Sequence, residues 1–124
     1  MKWVAAILVF VAACATGSPE NAVRALGEAA EAGDRDAVWA LLGPTTRARL
    51  EVDADKARQA AGRRELTAKD LIGAGWSPPR WRAQDIDVVG SEGDRATVEV
   101  RGPAHERETL RCVRVDGQWR VELP

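Results

Sequence analysis

The 124-residue chain has no tyrosine, one histidine and two cysteines, and each scarcity closes off a class of chemistry. Without tyrosine there is no phenolic donor to stabilise a developing oxyanion. One histidine and two cysteines cannot supply the ligand spacing of a structural or catalytic zinc site. The chain also lacks a glycine-rich phosphate loop, a Gly-x-Ser-x-Gly elbow and a cysteine–histidine pair for nucleophilic attack. Charged residues make up 30% of the chain, yet the formal charge is −1 and no long block carries one sign. A polyanionic partner such as nucleic acid therefore has no electrostatic footprint here. The apolar run Trp3–Ala13 reaches only about 16 Å as a helix, roughly half of a hydrocarbon core, so it is too short for a permanent membrane span.

That run nevertheless has the anatomy of an export signal. Met1-Lys2 supplies a positive start, the apolar stretch follows, and small residues close it. Its end, Val11-Ala12-Ala13-Cys14, resembles the lipobox of bacterial lipoproteins, in which the cysteine receives a diacylglyceryl group and becomes the mature N-terminus. The alternative is an ordinary secretory signal with an incidental cysteine. The resemblance implies a signal peptide over 1–13, a lipidated Cys14 with a short linker over 14–18, and one domain over 19–124. Two or more acyl chains give lasting attachment, at about 0.8 kcal/mol per buried methylene. Ala15 stands where such lipoproteins carry an aspartate for inner-membrane retention, which implies an outer-membrane, periplasm-facing location in a cell with two membranes. The linker Ala15-Thr16-Gly17-Ser18 spans about 14 Å at most, and so holds the domain close to the lipid surface.

The remainder predicts helices first and strands afterwards. Ser18-Pro19-Glu20 is a helix start, with a serine cap, proline in the first turn and an early acid. Val23, Leu26 and Ala30 recur at helical spacing until Gly33 closes the run and Asp34 caps the next. Val38, Trp39, Leu41 and Leu42 point inward on that second helix, which Gly43-Pro44 stops. Thr45 or Thr46 is the expected cap of a third helix with Leu50, Ala54, Ala57 and Ala61 on one stripe. Thr67-Ala68-Lys69-Asp70 reads as a capping box, flanked by a Leu66–Leu71 staple. Beyond Trp81 the period changes to two: Ile86/Val88, Val98/Val100, Leu110/Cys112 and Trp119/Val121/Leu123 predict four strands. Asp116-Gly117 is a two-residue hairpin signal, and Cys112-Val113 breaks the alternation, predicting a bulge there. The expected fold class is α+β, with N-terminal helices packed on one face of a curved, roughly four-stranded antiparallel sheet.

This order, with "EAGDRDAVWALLGPTTRARL" early and "VDGQWRVEL" last, resembles small bacterial lipoproteins of the cystatin-like, nuclear transport factor two-like superfamily. The resemblance implies a sheet wrapping its helices around a cone-shaped cavity. Some members are isomerases or cyclases with acidic bases, which makes Asp85, Asp87 and Glu99 the strand acids that such chemistry would need. The period-two rule turns all of them outward, and no catalytic residue is assigned.

His105, in a predicted Gly-Pro turn, is expected in solvent, and Cys112 is expected as a buried small apolar residue. Glu99, Arg101, Arg111, Arg120 and Glu122 share a polar strand face. They read as cross-strand pairs of opposite sign, or as an electrostatic dock for an acidic partner. In "GWSPPRW", two prolines hold Trp76 and Trp81 in a fixed relation, with Arg80 and Arg82 beside them. They either close the open end of the core or form a ligand or partner contact. The leading expectation is a non-catalytic envelope lipoprotein that binds a partner protein, with no cofactor and no metal. A binder of a small apolar ligand is the first alternative, and an isomerase-like or cyclase-like enzyme the second.

Overall fold

The computed structural model describes residues 17–62, 65–72 and 83–124. The apolar N-terminal run expected to be a signal, Cys14 and the whole "GWSPPRW" stretch lie outside the described residues. Four helices, α1 (Pro19–Ala32), α2 (Arg35–Leu41), α3 (Pro44–Ala61) and α4 (Ala68–Ile72), precede four strands, β1 (Asp85–Glu92), β2 (Arg95–Arg101), β3 (Arg107–Val115) and β4 (Gln118–Glu122). The strands form an antiparallel meander in the order β1-β2-β3-β4.

Most helix boundaries follow from local hydrogen-bond supply. Ser18 Oγ accepts from Asn21 N at 3.1 Å, and Asp34 Oδ1 accepts from Ala37 N at 3.1 Å, so each satisfies an orphan amide of its first turn. Gly33 ends α1 in the left-handed region at φ 70°, where a Cβ would be strained. The capping box is reciprocal: Thr67 N donates to Asp70 Oδ2 at 2.8 Å and Asp70 N to Thr67 Oγ1 at 3.4 Å. Asp116 and Gly117 both take positive φ, as a type I′ hairpin turn requires.

The core lies between α1 and one sheet face. Ala22, Val23, Leu26 and Ala29 of α1 meet Ala96, Val98, Val100, Leu110, Cys112, Trp119 and Val121 from the strands. Helix α1 touches β4, β1 and β2, while α4 fits between α2 and α3. Leu50 and Ala54 of α3 join the core, but Ala61 is exposed, so the expected apolar stripe is buried only in its first half.

Two expectations are corrected. No bulge lies at Cys112-Val113; the β2–β3 register runs unbroken from Arg95↔Val113 to Arg101↔Arg107. Val113 is accommodated on the polar face because Arg95 and Arg120 stand opposite it on the two flanking strands, and arginine stems can cover an apolar neighbour. The irregularity lies instead between Val88 and Gly90 of β1, an edge strand where an extra residue disrupts only one ladder. Val89 is left 58% exposed there.

The second correction concerns α3. Neither Thr45 nor Thr46 is its cap: the N-cap is Gly43, which has no side chain to offer, and both threonines lie inside the first turn. The missing acceptor comes from the last strand. Glu122 Oε2 accepts from Thr45 N and Oε1 from Thr46 N, each at 3.0 Å. Gly43 N donates to Val121 O at 2.9 Å, and the buried Thr46 Oγ1 accepts from Leu123 N at 2.9 Å. The chain entering α3 is thus laced to β4, and Leu42 adds a parallel bridge to Val121. A Cβ on Gly43 would collide with the Glu122 carboxylate.

Burial pushes the Glu122 pKa up, but hydrogen bonds from Thr46 and Thr45 outweigh it and hold the carboxyl below its ordinary value. Because the folded pKa is depressed, this contribution is complete above the unfolded value and is lost as pH falls through the folded one. Glu122→Gln is expected to cost about 1 kcal/mol at neutral pH, the usual worth of a helix cap, and less under acid. Gly43→Ala should destabilise at least as much. Urea unfolding at pH 7 and pH 3 checks both; equal losses for Glu122→Gln at the two pH values would contradict this reading.

Candidate functional site

The face of the sheet opposite α1 carries the alternate, polar residues, and pairing divides it into two halves. At one end Asp85 and Asp87 of β1 lie beside Glu99 and Arg101 of β2 and Arg107 of β3. Arg101 Nη2 meets Asp87 Oδ2 at 2.8 Å, and Glu99 Oε1 lies 3.8 Å from Arg101 Nε and 3.7 Å from Arg107 Nε. The three strand acids considered for proton transfer are thus on the outer face. Asp87 and Glu99 are in ion pairs, and Asp85 is exposed.

At the other end the cross-strand rows are Thr97–Arg111–Glu122 and Arg95–Val113–Arg120. The sequence pattern pairs Arg111 with Glu122, and the register does place them opposite each other. The Glu122 carboxylate, however, turns to the α3 amides. Among the described residues, Arg95, Arg111 and Arg120 have no ion-pair partner. The buried Nε of Arg120 has no hydrogen-bond partner either. Nearby, Arg47 lies 5.2 Å from the Trp39 ring centroid and donates to Trp39 O at 3.0 Å and Ala40 O at 3.2 Å. Burial, and then the Arg120 charge, lower the Arg47 pKa.

Between this cationic half and the start of α3 lies an open cleft of about 740 Å³. Thr45, Thr46 and Arg49 form its helical wall; Thr97, Thr109 and Arg111 lie along its sheet side; Ser91, Glu92 and Arg95 come from the β1–β2 hairpin. Arg49 is fixed by a 3.2 Å bond from Nη2 to Leu123 O. Asp85, Asp87 and Glu99 do not line it. Sequence reasoning missed Arg49, Arg95, Thr97 and Thr109. The one usable signal was Gly43-Pro44, a helix start without a local side-chain cap, which required an acceptor from elsewhere.

The other sequence candidates fall as follows. Cys14, Trp76, Arg80, Trp81 and Arg82 lie outside the described residues. His105 is exposed in the β2–β3 turn at φ 66°. Cys112 is 2% exposed on the core side, with Sγ 4.0 Å from Pro19 O. Among the described residues no group of three or more His, Cys, Asp or Glu is placed to hold a metal ion, and no helix is long and apolar enough to cross a membrane.

Burial pushes the Cys112 thiol up to about 12, so thiolate is scarce and the sulfur is shielded. In a Cys14→Ala chain, where Cys112 is the sole thiol, a disulfide reagent at pH 8 should label the native protein at least about a hundredfold more slowly than the urea-unfolded one. Comparable rates would contradict the burial.

Comparison of the chain with family models, with curated proteins and with solved structures gives no match. The α+β architecture, helices followed by a four-stranded antiparallel meander that they contact, rests on the structure itself.

Proposed function

We propose that this chain is a non-catalytic, lipid-anchored binding domain of a bacterial cell envelope, tethered through a diacylglyceryl group on Cys14 and related in plan to cystatin-like lipoproteins. The observation that carries the binding half is the composition of the cleft. It gathers guanidinium and hydroxyl donors, which hold ligands, while the strand acids capable of proton transfer lie elsewhere on the sheet. Of its two lining glutamates, Glu122 is held ionised by amide hydrogen bonds and is a weak base for that reason, and Glu92 is exposed at the hairpin. A volume of about 740 Å³ lies within the range of roughly 300–1,000 Å³ common to small-molecule sites.

The anchoring half is supported by Val11-Ala12-Ala13-Cys14 at the close of a short apolar run. Ala15 favours the periplasmic face of an outer membrane where the cell has two. A linker of at most about 14 Å would keep the cleft near the membrane, within reach of envelope partners.

Wild-type chain expressed in a lipoprotein-processing bacterium should fractionate with membranes and carry the mass of an acylated, shortened chain. Cys14→Ala should leave the membrane fraction and lack the lipid mass. A Cys14→Ala protein that stays membrane-bound with unchanged processing would overturn the anchor.

A further inference from the structure

We propose that the outer-face cleft is a site for a phosphate or carboxylate group, held by Arg95 and Arg111 with the hydroxyls of Thr97 and Thr109. The inference rests on the binding reading above and names the class of ligand.

The chain's formal charge is −1. Opposite charges set across neighbouring strands neutralise one another, and on one half of the outer face they do, through Asp87, Glu99, Arg101 and Arg107. On the other half the acid opposite Arg111 is Glu122, and α3 has taken both its oxygens. Glu92, opposite Arg95 in the β1–β2 ladder, forms no ion pair with it. The arginines therefore keep their donors and their charge, and they do so beside a concavity rather than on a convex surface.

Concave placement concentrates the field of such charges, and a guanidinium fork matches two oxygens of a phosphate or carboxylate. Thr97 stands directly opposite Arg111 in register, and Thr109 lies two residues from it on the same strand face, so a group bound at Arg111 has hydroxyl donors on both sides. The α3 N-terminus is not needed as a donor, because Glu122 already fills it. A free anionic metabolite and an anionic lipid headgroup share this chemistry.

The test uses the full-length chain, isotopically labelled and held in a non-ionic detergent. Amide shifts of Ser91, Thr97, Thr109 and Arg111 are followed during titration with inorganic phosphate, with sodium chloride at matched ionic strength, and with glycerol as a neutral polar probe. Parallel sedimentation uses vesicles of phosphatidylglycerol or of phosphatidylcholine with Cys14→Ala protein, which removes the anchor. Saturable shifts at these amides with phosphate but not chloride are expected, weakened about tenfold or more by Arg111→Gln or Arg95→Gln and unchanged by Arg107→Gln in the paired half. Arg95 and Arg111 are exposed, so their replacement is expected to leave the fold intact.

Phosphate binding without vesicle binding identifies a soluble ligand; selective phosphatidylglycerol binding that depends on Arg95 and Arg111 identifies a headgroup. Glycerol shifting the same amides while both anionic probes fail would overturn the anion assignment and leave the binding reading standing. No response to any probe, or responses indifferent to Arg95→Gln and Arg111→Gln, would overturn the inference itself.

Discussion

The carboxylate of Glu122, seated on the first amides of α3, is the interaction on which the rest of the arrangement depends. A helix that opens with Gly43-Pro44 has no side chain with which to satisfy its own first turn, and such amides carry a partial positive charge that favours an anion. The last strand supplies that anion. The same junction adds the Gly43–Val121 and Thr46–Leu123 hydrogen bonds and the Leu42–Val121 bridge. The outer edge of β4 is therefore engaged by chain rather than left as an open template for another strand. A Cβ at Gly43 would take the space of the carboxylate and push it off the α3 amides.

From this junction follows the character of the outer face. If Glu122 paired with Arg111 as their register allows, Arg111 would be neutralised as Arg101 and Arg107 are. Its diversion to α3 leaves Arg111 with unspent charge, beside the unpaired Arg95, at the edge of a cleft whose other wall begins with α3 itself. A single hydrogen-bonded carboxylate thus closes the fold and sets the polarity of the site. At the opposite end, Arg101 and Arg107 are neutralised by Asp87 and Glu99, and neither lines the cleft.

What was legible in the sequence was what is local. Ser18, Asp34 and the Thr67–Asp70 box act within three residues of themselves, and the structure places each as a cap. The period-two runs located all four strands, since alternation reports which side chains meet the core. The burial of Cys112 follows from the same rule, and the exposure of His105 from its place in the Gly-Pro turn. The Glu122 cap spans 76 and 77 positions, and no local rule reaches that far. Seen along the chain, Arg111 and Glu122 are a plausible ion pair, and only the three-dimensional junction shows where the acid goes. Val113 misled for a related reason: an apolar residue on a polar face looks like a register break until the arginine stems on both neighbouring strands are in place. The tryptophan-flanked stretch from Gly75 to Arg82, which the sequence marked for recognition, lies outside the described residues; the cleft joins Arg111 and Glu122, which the sequence placed on a polar strand face, to Arg49, Arg95, Thr97 and Thr109, which it had not singled out.

The most direct test is a pH titration of the Thr45 and Thr46 amide protons by NMR, in the wild-type chain and in Arg111→Gln. With the Glu122 carboxylate bound to those amides, both should titrate together with a midpoint below the ordinary glutamate value of about 4.3, and removing the Arg111 charge should leave that midpoint nearly unchanged. A midpoint at or above the ordinary value, or one that climbs by about a unit in Arg111→Gln, would place the carboxylate with the arginine and contradict the account.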